Sequence, residues 1–217
     1  MKSFRMLAGA AAALALTAGL AGCASGPAPE ELDQEAVRII RSAFRDEGIA
    51  KVDRLDQDAA NEACSRALGK EPAPEVVKAI EAANLKTIRP PSDGKYLGDW
   101  REGEKIAQSG RGLTFTDDAR VVNGGNCYNC HQISRQEISF GTIGPSLYQY
   151  GRLRGVTDPD SPAARPIIEY TWGKLWNARA YNACSHMPRA GHLGILSEAQ
   201  IRHVMALLLD PKSPVNQ

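Results

Sequence analysis

The sequence is poor in aromatic residues. Phe, Tyr and Trp make up 6% of its 217 positions, so the interior has to be aliphatic or filled by something other than protein. It lacks a charge excess: 26 Lys and Arg face 25 Asp and Glu, a formal net charge of +1. That balance argues against nucleic acid as a partner, since such surfaces are normally strongly basic. It has one long apolar run only. With 24% charged residues, 20 Gly and 13 Pro, this excludes collagen-like, coiled-coil and multi-span membrane classes. No fixed-period repeat is present, and no apolar/polar alternation runs longer than four residues, so strand signals are scarce. Cysteines and histidines are few, five and four, and their placement carries most of the chemistry.

The apolar run is at the N-terminus. Lys2 and Arg5 precede residues 6–22, a stretch rich in Ala, Leu and Gly that ends in Leu20-Ala21-Gly22-Cys23. This reads as an export leader over 1–22. The tetrapeptide resembles the bacterial lipobox, in which the cysteine is acylated and becomes the mature N-terminus. The other reading is an ordinary secretory signal cleaved nearby, for example after Ala24. Either way the folded part is expected in the periplasm, an oxidising compartment, and a lipidated Cys23 would anchor it to a membrane.

Residues 23–94 read as a tether followed by a helical extension. The apolar positions Ala36, Val37, Ile40, Ala43 and Phe44 predict a helix over about 32–47, stopped by Gly48. Others are predicted over about 58–68, closed by Gly69, and from Pro74 onward through Val76, Val77, Ile80 and Ala83. Pro90-Pro91 breaks the pattern and places a boundary near residue 94. In 95–217 a helix is predicted over 98–109, with Trp100, Gly103, Ile106 and Ala107 on one face. Another runs over 198–209, where Ser197 and Gln200 form a capping box and Asp210-Pro211 is the stop. The charge differs between the two regions: residues 23–94 hold 10 basic and 14 acidic side chains, residues 95–217 hold 14 and 11.

Between those two helices stands Cys127-Tyr128-Asn129-Cys130-His131. Two thiols three positions apart can each add across a vinyl group of one porphyrin, and the adjacent histidine then supplies a nitrogen to iron. A structural zinc site would need a second ligand pair, which is absent. A thioredoxin-like motif would follow a strand and open a helix, which these flanks do not offer. The expected cofactor is therefore one covalently attached haem c, held by Cys127 and Cys130 with His131 on the iron. Met187, in Ser185-His186-Met187-Pro188, is the expected sixth ligand, with His186 as its rival. Met205 falls on the apolar face of the last helix and reads as core; His203 reads as a surface residue of that helix.

With Gly144-Pro145-Ser146-Leu147 and the terminal helix in order after the cysteine motif, residues 95–217 resemble the class I cytochromes c. The expected fold class is thus all-α, a class I cytochrome c fold with a helical N-terminal extension. In that family the proline carbonyl accepts a hydrogen bond from the ligand histidine. Residues 181–189 and 191–196, with the closing 207–217, resemble more narrowly the SoxX subunits of the sulfur-oxidising (Sox) system. That resemblance implies a SoxA-like multihaem or monohaem cytochrome partner and a joint L-cysteine S-thiosulfotransferase activity, in which thiosulfate is coupled to a cysteine of the carrier SoxYZ. Electrons then pass to a cytochrome c acceptor. This chain would relay electrons and hold no catalytic residue of its own. A free-standing electron shuttle and a docking lipoprotein stabilised by its haem are the alternatives.

Assigning Cys23 to lipid and Cys127 and Cys130 to haem leaves Cys64 and Cys184. Exported proteins seldom keep two free thiols, so a Cys64–Cys184 disulfide is predicted; two buried thiols or a bond to a partner are the alternatives. Arg152, Arg154, Arg165, Lys174, Arg179 and Arg189 are candidates for a surface that finds an acidic partner.

Overall fold

The computed structural model describes residues 26–217. The leader and Cys23 lie outside them. Among the described residues the protein is all-α: there is no strand, only an isolated bridge between Glu47 and Ala50. No helix among them is long and apolar enough to cross a membrane.

Two units emerge, 1–45 and 46–217. The described part of the first is helix α1, Pro29–Ala43. It starts earlier than the apolar pattern suggests because Pro29 sits at its first turn with Glu30 and Glu31, which favour the positive end of the helix dipole. It ends at Phe44, whose backbone is extended.

The second unit contains α2 (Ala59–Arg66), α3 (Pro74–Leu85), α4 (Trp100–Gln108), the single turn α5 (Tyr150–Leu153), α6 (Arg165–Trp176) and α7 (Glu198–Leu209). Its start at Asp46 differs from the boundary read at residue 94 on the Pro90-Pro91 break. The break is real, but the chain on both sides of it is tied to the same body. The indole N–H of Trp172 donates to Arg89 O at 2.7 Å, and that of Trp176 to Thr87 O at 2.9 Å. The fully buried Asn177 amide donates to Asn84 Oδ1 and to Thr87 Oγ1, both at 2.9 Å. Asp58, the N-cap of α2, pairs with Arg179 at 3.4 Å and with Arg189 at 2.5 Å. Cys64 and Cys184 are joined by a disulfide. Arg54 donates to Leu113 O, carrying residues 46–55 onto the loop after α4.

The centre of the unit is the crossing of α4 and α7. Gly103 lets it form: a Cβ there would lie 2.1 Å from His203 O and 3.0 Å from Leu207 Cβ. Ala107, Ile201, Val204, Met205 and Leu207–Leu209 are buried around this contact. The capping box at Ser197 and Gln200 is present. At the far end Ser213 Oγ donates to Leu207 O and Asn216 Nδ2 to Leu208 O, satisfying carbonyls that α7 leaves over.

His203 is not a surface residue, correcting the sequence reading. It is half-buried, and its Nδ1 accepts the N–H of Asp99 at 2.9 Å, closing the start of α4. Gly98 makes room for it, since a Cβ there would lie 2.5 Å from Nδ1. Helix α6 has no counterpart in the periodic reading. Its buried positions Ile168, Thr171, Trp172 and Leu175 do fall on one face, but a threonine stands in that stripe, and the exposed Tyr170 and the buried Gly173 lie outside it, which blurs the apolar pattern.

Candidate functional site

The cysteine motif lies on a tight turn entered by Asn126 in the left-handed region, φ 50°. The N–H groups of Cys130 and His131 both donate to Cys127 O, at 3.1 and 2.9 Å. This gathers both thiols and the imidazole on one turn. Tyr128 is buried beneath it, and its hydroxyl donates to Glu104 Oε1 of α4 at 2.8 Å and accepts the N–H of Ser134.

A second segment runs alongside. The N–H of Gly141 donates to Tyr128 O, that of Gly144 to Cys130 O and that of Leu147 to Gln132 O, each within 2.8 Å. These bonds deliver Pro145 O to 2.7 Å from His131 Nδ1. A carbonyl oxygen only accepts, so Nδ1 carries the proton. In the neutral ring the Nε2 lone pair is then left for another partner. Gly144 is required at this approach: a Cβ would fall 2.1 Å from His131 Cε1 and 2.7 Å from Nε2.

Burial sets the first thiol of the motif apart. Burial pushes the Cys127 thiol up to about 12, with Cys130 and Glu104 adding to the rise. A thiol held this way is protonated at neutral pH and is a poor nucleophile toward disulfides. Burial also raises the Glu104 carboxyl and the Tyr128 hydroxyl above their usual ranges. Glu104 Oε2 is buried without a hydrogen-bond partner.

Apolar side chains beside the motif are left uncovered. Ile138 is 91% exposed and Ile143 77%, and Phe140 is exposed as well. Phe140 and Ile143 flank the residues bonded to Tyr128 and Cys130. Two thiols, an imidazole with one nitrogen to spare and a rim of bare apolar groups fit a covalently held porphyrin. No cluster of three or more His, Cys, Asp or Glu able to hold a metal ion occurs among the described residues. A cavity of about 950 Å³ lies elsewhere, between Lys95–Leu97, Thr157–Pro162 and Asp210–Lys212.

Met187 is half-buried against the main core, and its N–H donates to Ser185 Oγ at 3.2 Å. His186 beside it is exposed. The loop is held at both ends: Cys184 by the disulfide and Arg189, itself buried, by Asp58. Arg179 and Arg189 are thereby removed from the candidate docking surface. Both guanidiniums are turned inward onto Asp58, whose carboxyl is pulled up by burial but held below its ordinary value by the Asn61 N–H and the two guanidiniums. Arg165 pairs with Glu169 at 2.6 Å, while burial lowers the Lys174 ammonium. Exposed and basic in that set are Arg152, Arg154 and Arg165. The sequence signal for the internal pairing was Asp58 itself, an N-cap residue on the acidic side of the boundary.

No family model matches the chain. It is 30% identical, over 218 aligned positions, to an uncharacterized lipoprotein of Aquifex aeolicus, with 94% of this chain and 97% of that protein covered.

Proposed function

We propose that this chain, which belongs to the family of the Aquifex aeolicus lipoprotein, is a lipid-anchored, periplasmic monohaem c-type cytochrome that relays electrons. The observation that carries the reading is the His131 Nδ1 to Pro145 O bond at 2.7 Å, on a turn that also presents Cys127 and Cys130. It fixes the imidazole tautomer a haem iron requires. Cys127 and Cys130 would hold the haem through thioethers, with His131 and Met187 as axial ligands, in a class I cytochrome c fold. The haem, when bound, supplies a one-electron carrier. The chain's own residues orient the imidazole through Pro145 O, exclude water with the buried Tyr128 and hold Met187 on a loop clamped at both ends. With His131 and Met187 both holding the iron, no place would be left on it for a substrate, which suits a relay and not a catalyst.

The lipoprotein relative and the Leu20-Ala21-Gly22-Cys23 motif together support acylation at Cys23. The resemblance of residues 181–196 to the SoxX subunits supports a finer role. There the chain would be the electron-transfer subunit of an L-cysteine S-thiosulfotransferase, paired with a SoxA-like cytochrome, serving SoxYZ and discharging to a cytochrome c acceptor. The test has two stages. The haem-loaded protein should show a weak far-red charge-transfer band when oxidised, and Met187→Ala should remove it and lower the potential. Persistence of the band would reassign the sixth ligand. Thiosulfate-dependent reduction of an acceptor should then need both this chain and the SoxA-like partner. Turnover by this chain alone, or full activity of the partner without it, would refute the relay role.

A further inference from the structure

Helix α1 is strongly two-sided, and none of its residues is buried. Leu32, Ala36, Ile39, Ile40 and Ala43, with Val37 at the margin, share an arc of roughly 160° at 3.6 residues per turn, broken once by Asp33. Glu30, Glu31, Gln34, Glu35, Arg38, Arg41 and Ser42 fill the opposite side. No residue of the helix is buried; Leu32, Val37, Ile39 and Ile40 are 43–54% exposed. Glu35 and Arg38 pair on the polar side, so part of its charge is already neutralised. A 15-residue helix this apolar on one side and this polar on the other is built to lie between two phases.

Its position in the chain says which phases. Five residues, 24–28, separate Cys23 from Pro29, and they reach at most roughly 20 Å when fully extended. An acylated Cys23 therefore holds the start of α1 at the headgroup layer, at a millimolar-scale effective concentration of lipid for so short a linker. A second copy of the helix is a poorer occupant. The apolar arc is wider than a coiled-coil seam, and the helix spans only two heptads.

We propose that α1 lies along the membrane surface, with Leu32, Ile39, Ile40 and Val37 in the acyl boundary. It would be a second, non-covalent anchor next to the lipid. The proposal deepens the lipoprotein reading and rests on it for the tether, but α1's own affinity for lipid is measurable without the acyl group.

The test uses the whole chain made to begin at Ala24 behind a conventional cleavable leader. It is mixed with phosphatidylethanolamine–phosphatidylglycerol vesicles at millimolar lipid and floated. The chain should float, and Leu32→Glu with Ile39→Glu should lower the bound fraction about tenfold or more. A nitroxide on Ile39→Cys should collide with oxygen several-fold more often than one on Gln34→Cys when vesicles are present, with no difference in their absence. Failure to float, equal flotation of the double variant or identical labels would overturn the proposal. Spin–spin broadening at residue 39 without vesicles would overturn it in favour of a second copy. The mass of the mature N-terminal peptide of the native protein is a separate reading. Absence of acyl mass there removes the covalent anchor and leaves the flotation result standing.

Discussion

Replacing Gly103 with alanine probes the crossing on which the fold turns. Two effects oppose each other. Alanine is the better helix former by about 1 kcal/mol, so propensity alone raises stability. Packing does the reverse. The new Cβ would sit 2.1 Å from His203 O and 2.7 Å from His203 C, both backbone atoms that no rotamer change can move. Restoring ordinary contact requires α4 and α7 to part by more than 1 Å, and a gap of that size forfeits roughly a quarter to a half of each dispersion contact across the interface. Ala107, Val204 and Leu207 all lie in that interface and are buried. Overpacking of this kind costs about 3 kcal/mol when backbone is the obstacle. The net expectation is a loss of about 2 kcal/mol, or roughly 4–8 °C in Tm for a unit of this size. Thermal unfolding of the variant, followed by far-UV circular dichroism, measures it. An unchanged or higher Tm would show that propensity wins and that the crossing is not as close as described.

Serine at both Cys64 and Cys184 should destabilise the protein. Their separation of 120 residues gives about 5 kcal/mol in the chain-entropy relation, and about 2–5 kcal/mol is the expected measured range; equal denaturant midpoints for variant and oxidised wild type would contradict this. On the cytochrome reading, Gly144→Ala should push the His131 ring off Pro145 O and cut the covalent haem recovered per chain, read from the alkaline pyridine spectrum; full incorporation with an unchanged spectrum would refute the packing argument. Glu104→Gln should stabilise the protein at neutral pH. The folded carboxyl is raised by burial above its ordinary 4.5, so its ionisation costs stability progressively as pH rises from there, and the glutamine variant escapes that cost. Parallel stability–pH curves for the two proteins would count against a raised Glu104.

Local patterns were legible where one face of a helix meets water. The span at 198–209 was read to the residue because its capping box and apolar stripe agree. The cysteine motif and the glycine-proline segment carry a signal of another kind: on the cytochrome reading their spacing is set by chemistry and not by packing. Helix α6 was missed because a threonine stands in its buried stripe of Ile168, Thr171, Trp172 and Leu175 while the large, exposed Tyr170 lies outside it. The role of His203 was missed because Asp99, the residue it caps, is 104 positions away. Asp58 and the two arginines show the same limit. Each looks like a solvated charge in the sequence, and only the folded chain reveals that Arg179 and Arg189 converge on one carboxylate.

On the cytochrome reading, maturation of this chain is a competition among thiols. Cys127 and Cys130 lie inside the loop that Cys64 and Cys184 close. In an oxidising compartment these four cysteines allow three pairings, and the shortest loop, Cys127 to Cys130, closes with the least entropic cost. That pairing would occupy the two sulfurs a porphyrin needs. Cys184 is also the last of the four to emerge from the ribosome and from the export channel, so the native bridge is the last that can form. The motif therefore has to be kept reduced until the porphyrin has alkylated both of its thiols. Yield in a foreign host should then depend on the balance between reductant supply to the motif and oxidase activity on the remaining pair, with disulfide exchange as the route back for chains that close the wrong loop.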